Sequence, residues 1–272
     1  MLKIKSFSAV FVLLVLPSPL LGQLKYPIDL AVHGDDVLIV DRNLPGLFRV
    51  DGGANQSVVY QGSKKFRTPL NAARCVAVAP NGDIFVGDSS TRQIYRMGET
   101  PEKLLTNSIG IGIPYAMAFN KAGDLFIADL EAPGQIHRVK KGQTIPESFA
   151  LQAGIRGLAF DKAGDLLAVT GLDEALIKFK MDGSREVILA KRPFDFPNGI
   201  AVLGEDMFIS DSYKKCVWKI GPDKKPLAWC TQGLSYPGGI AVKGDQIWVT
   251  DAKAKKIFSI AADGTAKEVK LQ

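Results

Sequence analysis

The stretch that decides the fold is PNGIAV at residues 197–202, followed after a short turn by DMFISD at 206–211. Two further runs complete the unit, CVWKI at 216–220 and PLAWC at 226–230. Four short apolar runs rich in β-branched and aromatic residues, separated by Gly, Pro, Asn and Asp, read as strands over 198–202, 207–210, 216–220 and 226–230. The opening phrase recurs along the chain as PIDLAV (27–32), ARCVAV (73–78), PYAMAF (114–119), IRGLAF (155–160) and PGGIAV (237–242). Its shared alanines, Ala31, Ala77, Ala118, Ala159, Ala201 and Ala241, are spaced by 46, 41, 41, 42 and 40 residues. A period near forty carrying four strands is that of propeller blades. The expected fold is therefore all-β, a six-bladed β-propeller of four-stranded antiparallel blades occupying residues 23–272.

Residues 1–22 stand outside the repeat. Lys3 and Lys5, an apolar stretch over 10–16 and the segment Pro17 to Gly22 read as a secretory signal peptide cleaved after Gly22. No later segment has the length of a membrane helix, so no membrane span is expected once the signal is removed. Cleavage would remove two lysines and no acids, leaving 32 basic against 28 acidic residues, a net charge of +4. The excess is scattered in pairs such as Lys64-Lys65 and Lys214-Lys215, which reads as solvated turns rather than a polyanion track. The expected location is secreted or periplasmic, and no nucleic acid partner is expected. Asn55-Gln56-Ser57 is a glycosylation sequon.

The phrases PNGIAV with MFISDS, and PGGIAV with IWVTDA, resemble the NHL-repeat family of six-bladed propellers over essentially the whole of 23–272. The gluconolactonase and senescence-marker-protein group is related to that family in fold. Its PNG-type phrase supplies an asparagine to a divalent metal, and Asn198 matches that position. The group's other ligands are a glutamate in the first blade and an aspartate one blade after the asparagine. Those places hold Ile28, with Asp29 adjacent, and Gly238. A hard cation needs several oxygen ligands together, so Asn198 is the one family-matched ligand position, no metal site is expected, and no cofactor is assigned, with calcium or zinc left open. Arg74, Tyr115 and Arg156 are similar to the arginines and tyrosine of a related zinc lyase that cleaves hydroxyglycine peptides. Zinc would require three or four good ligands, and the chain has only His33, in a turn, and His137, in a third strand.

Geometry singles out two sets of positions at the channel mouth. Three before each shared alanine stand Ile28, Arg74, Tyr115, Arg156, Asn198 and Gly238. Strand two closes with Asp41, Asp88, Asp129, Thr170, Asp211 and Asp251. An aspartate repeated in five blades reads as a turn former accepting backbone N–H groups. Arg74, Tyr115, Arg156 and Asn198 are the candidate ligand-binding residues, because guanidinium groups in an enclosed site suit carboxylates and phosphates; pairing of each arginine with a ring aspartate is the competing reading. No nucleophile elbow, phosphate loop or histidine-activated nucleophile is present in the sequence. The leading expectation is a binding or scaffold module whose partner is a peptide, a glycan, an envelope protein or a small anionic ligand. The alternative is a gluconolactonase-like hydrolase or lyase with a metal-poor site.

The cysteines carry one further expectation. If the connection 221–225 joins a regular antiparallel pair, Ile220 faces Pro226 and Cys216 faces Cys230, close enough for a disulfide in an oxidising compartment. Cys75 is expected to be buried and free within the inner strand of blade two.

Overall fold

The computed structural model describes residues 23–65, 67–106, 111–131 and 133–272, so the proposed leader lies outside the described residues. Among the described residues twenty-four strands form six four-stranded antiparallel sheets, each made of strands consecutive in the chain. These blades span 27–61, 73–103, 114–151, 155–189, 197–230 and 237–268. First strands of successive blades lie side by side, and that of blade six returns to blade one, closing the ring. Blade five has its strands at Pro197–Leu203, Asp206–Asp211, Cys216–Ile220 and Pro226–Cys230. No helix among the described residues is long and apolar enough to cross a membrane.

Burial follows the strand order. The second strands Ile84–Asp88, Leu125–Asp129 and Leu166–Thr170 are buried at every residue, because a neighbouring blade covers each face. That is why they read as continuous apolar runs rather than alternating ones. The outer strand Pro226–Cys230 is mostly exposed. Six hydrophobic clusters result, one at each interface between adjacent blades. Between blades three and four, for example, Phe126 meets Phe149 and Phe160 edge-on at 5.0 and 5.2 Å. Burying a side chain of this kind contributes about 1.5–3 kcal/mol. The turns between first and second strands of blades two to four place Gly82, Gly123 and Gly164 at φ of 88°, 92° and 89°, a conformation that an L side chain resists.

Ring closure combines side-chain packing with backbone hydrogen bonds. Leu24, Val269 and Leu271 do join the cluster between blades six and one. Backbone bonds are added at the same seam: Gln272 N–H donates to Ala54 O at 3.0 Å, and Gln56 N–H donates to Gln272 O at 3.1 Å.

The expected disulfide is not formed: Cys75, Cys216 and Cys230 are all buried free thiols. The reason is a β-bulge. Ile220 does pair with Pro226 and Trp218 with Ala228, but Trp229 is then skipped and Cys230 faces Val217 instead of Cys216. The same bulge recurs in the outer strands of blades one, three and four, where Val59, Phe149 and Ile188 are skipped. In all four blades the extra residue is apolar and packs onto the interblade cluster. The bulge therefore turns one outer-strand side chain inward, and in blade five Trp229 closes on Phe208 at 4.8 Å. Burial, with Asp211 and Cys230 nearby, pushes the Cys216 thiol up to about 12. Burial also raises the Cys75 and Cys230 thiols.

Candidate functional site at the channel mouth

A second bulge, repeated in all six blades, builds the mouth. The first strand of each blade skips the residue three before the shared alanine: Ile28, Arg74, Tyr115, Arg156 and Asn198 are each left out of the ladder, as are Gly238 and Gly239 together. A skipped residue leaves the alternation of the strand and is free to be aimed elsewhere. Beneath this layer lies one of small residues, Cys75, Ala116, Gly157, Gly199 and Gly239, broken only by Asp29. The third layer is apolar throughout: Leu30, Val76, Met117, Leu158, Ile200 and Ile240, all buried. A cavity of about 200 Å³ opens on the axis, lined by residues of all three layers together with Tyr26, Arg42, Phe196 and Tyr236.

At the mouth the predicted residues converge. The Arg74 guanidinium stands over the Tyr115 ring at 4.4 Å, and that of Arg156 stands 5.0 Å from the same ring and 4.8 Å from Phe196. Tyr115 donates its hydroxyl to Asn198 Oδ1 at 3.1 Å. The Asn198 amide donates to Ser212 Oγ and to Pro237 O (3.3 Å), and Ser212 in turn donates to Pro237 O at 2.8 Å. Five first strands, those of blades two to six, are thereby tied into one arc. Its aromatic side continues from Phe196 to Tyr213, stacked at 4.8 Å, and on to Tyr236, which carries the Lys253 ammonium at 4.8 Å. Such contacts hold a cation in place without neutralising it.

The ring aspartates do not pair with these arginines. Asp41 accepts four backbone N–H groups, from Lys25, Tyr26, Asn43 and Leu44, at 2.7–2.9 Å. Asp88 and Asp251 likewise clasp the loop before strand one and the turn after strand two. Asp211 accepts from Asp195, Phe196 and Lys214 N–H and from the Trp218 indole. Asp129 accepts from Gly112, Ile113 and Glu131. Burial works against its charge, but these bonds and His137 overcome it and hold the carboxyl down at about 2. Thr170, the exception, accepts only the Leu172 N–H. Among the described residues no carboxylate lies within ion-pair distance of Arg74 or Arg156.

Asp29 is the residue that sequence reasoning passed over. It lines the cavity one position deeper than the mouth layer, and its Oδ2 accepts the Val76 N–H of blade two at 2.8 Å. Its carboxyl is pushed up to about 7 by burial, against the opposing bonds from Val76 and Leu30. The signal was available: in the position two before the shared alanine, five blades carry a small residue and one carries an acid. Phe196, Ser212 and Tyr236 were also missed, because they lie on connections outside the repeated phrase.

The metal site implied by the gluconolactonase resemblance does not fit these residues. The Asn198 carbonyl oxygen already accepts from Tyr115, and its neighbours in the ligand pattern are Ile28 and Gly238. Among the described residues no three His, Cys, Asp or Glu side chains come together as a ligand set. His33 Nε2 contacts Gly82 O at 3.2 Å, and His137 is buried beside Asp129 at 3.5 Å, so neither faces the cavity.

These features define a six-bladed propeller whose cationic, aromatic mouth leads into an axial cavity with an apolar floor. No family model and no curated protein matches the chain. Solved structures do. A gluconolactonase from Xanthomonas campestris is 15% identical over 85% of this chain and 84% of its own, with a TM-score of 0.71. Virginiamycin B lyase from Staphylococcus aureus is 15% identical over 90% and 84%, with a TM-score of 0.67. A chain of a nidogen/laminin complex is 18% identical over 79% and 84%, with a TM-score of 0.66. At such identities the likeness is one of fold, and that fold serves enzymes and binding proteins alike.

Proposed function

We propose that this chain is an exported NHL-type propeller acting as a binding module, which takes an anionic group of its ligand on Arg74 and Arg156 at the channel mouth. The ligand is a small anion, or the acidic group of a peptide, glycan or envelope protein. The observation that carries the reading is the state of the two guanidiniums. They are held by ring contacts on a rigid arc, half-buried, and without a carboxylate partner among the described residues. Half-buried cations are normally paired, and a planar donor fork left open is suited to a carboxylate or phosphate. Arg42 lines the same cavity and Lys253 stands on the same arc, so the mouth is cationic while the ring aspartates are spent on backbone.

Titration with pentanoate, followed by amide NMR shifts, tests this reading. Saturable shifts around the mouth are expected, with affinity about tenfold or more weaker in the Arg74→Ala/Arg156→Ala double variant. Equal affinity in both proteins would contradict it.

A second reading, a gluconolactonase-like hydrolase or lyase without a metal, draws on Asp29. A carboxyl raised to about 7 inside a cavity has the acidity of a general acid or base at neutral pH. It expects turnover of a sugar-lactone panel by the wild type and none by Asp29→Asn; no turnover by either protein would dismiss it.

A further inference from the structure

We infer that the cavity selects a zwitterion, with Asp29 taking an ammonium group of the ligand while Arg74 and Arg156 hold its carboxylate. The inference rests on the anion-binding reading of the arginines and adds the chemical class of ligand.

The first support is the order of charge along the axis. Arg42 and Arg74 line the mouth, with Arg156 beside Arg74 on the Tyr115 ring, Asp29 is the one carboxylate of the lining and stands one layer below, and an apolar floor closes the cavity beneath it. A ligand oriented by this sequence of charges carries its anionic end outward and its cationic end inward. The cavity of about 200 Å³ admits a molecule the size of a small amino acid.

The second support is that the fold makes room for Asp29 at a cost. Inner strands crowd together at this depth: a Cβ on Gly157 would stand 2.9 Å from the Gly199 Cα. A Cβ on Gly239 would stand 2.4 Å from both the Cα and Oδ1 of Asp29, so Asp29 fits only against a bare neighbour. The other five blades solve the same packing problem with Cys, Ala or Gly and no charge.

The third support is that the protein leaves this carboxylate without a counter-charge. Blade six sets the bare backbone of Gly239 against Asp29, its own second strand pairs Val40 with it, and blade two supplies the Val76 N–H with the neutral thiol of Cys75 close by. No cation among the described residues lies within ion-pair distance of it. One backbone N–H explains a strut between blades one and two, and an asparagine would provide that acceptor without burying a charge.

The test compares two probes of matched shape, 4-aminobutyrate and pentanoate, at pH 8, where Asp29 is ionised. NMR titrations use the wild type and Asp29→Asn, which keeps an acceptor for Val76 N–H and so separates charge from scaffold. The expected result is 4-aminobutyrate bound at least about tenfold tighter than pentanoate by the wild type. Asp29→Asn is expected to abolish that preference while binding pentanoate as well as the wild type or better. Pentanoate bound through the arginines with no preference for the amine would overturn the inference and leave the anion site standing. A preference that survives in Asp29→Asn would overturn it too. If neither probe binds the wild type, the anion-site reading falls and this inference falls with it.

Discussion

The inner two strands of the blades carry two kinds of aspartate at the channel end, five of one kind and one of the other. Asp41, Asp88, Asp129, Asp211 and Asp251 recur at one position, are buried, and spend their oxygens on backbone N–H groups. Asp29 occurs once, at a position that is small in every other blade, and has a single cross-blade N–H partner. Burial acts on both kinds, with opposite outcomes. Asp129 receives enough donors to end at about 2, whereas Asp29 ends at about 7. Repetition marks the carboxylates that build the blade, and singularity marks the one that the blade must accommodate.

The largest effect is expected on the repeated side. Asp41→Ala would strip an acceptor from four N–H groups and free the loop before strand one from the turn after strand two. Bonds to a charged acceptor are worth about 1.5–3 kcal/mol each and do not add fully. Urea unfolding should show a loss of about 3–5 kcal/mol. A loss below about 1 kcal/mol would erase the distinction between the two kinds of aspartate.

The sequence revealed what is periodic. Both the six phrases and the four-strand unit are legible in it, and the strands read at 216–220 and 226–230 are those observed, because patterning repeats wherever packing repeats. The first-strand positions Arg74, Tyr115, Arg156 and Asn198 could be placed at one mouth for the same reason. Register was less legible. The bulge at Trp229 is a packing solution, driven by an aromatic side chain turning inward, and counting residues across a hairpin cannot see it. That is why Cys230 faces Val217 rather than Cys216. Phe196 and Ser212 were hidden because connections vary in length and break the period. Asp29 was visible as a departure from the pattern, but its meaning depends on Gly239 lying bare against it and on the cavity above.

The account turns on Asp29 being a carboxylate that the fold tolerates rather than needs, and the pH dependence of stability tests this most directly. Its ordinary value of 3.8 is raised to about 7 in the folded chain, so the folded state holds the proton more tightly than the unfolded one. The stability linked to that proton is fully present below 3.8 and is lost as pH rises through about 7. A shift of this size corresponds to about 4 kcal/mol, and contact with channel water reduces it to about 2 kcal/mol. Urea unfolding of the wild type and Asp29→Asn at pH 4 and pH 8 isolates this contribution, since the other groups are common to both proteins. The expected result is that Asp29→Asn gains about 2 kcal/mol on the wild type between pH 4 and pH 8. A difference that stays constant with pH, or one that moves in favour of the wild type, would contradict the account.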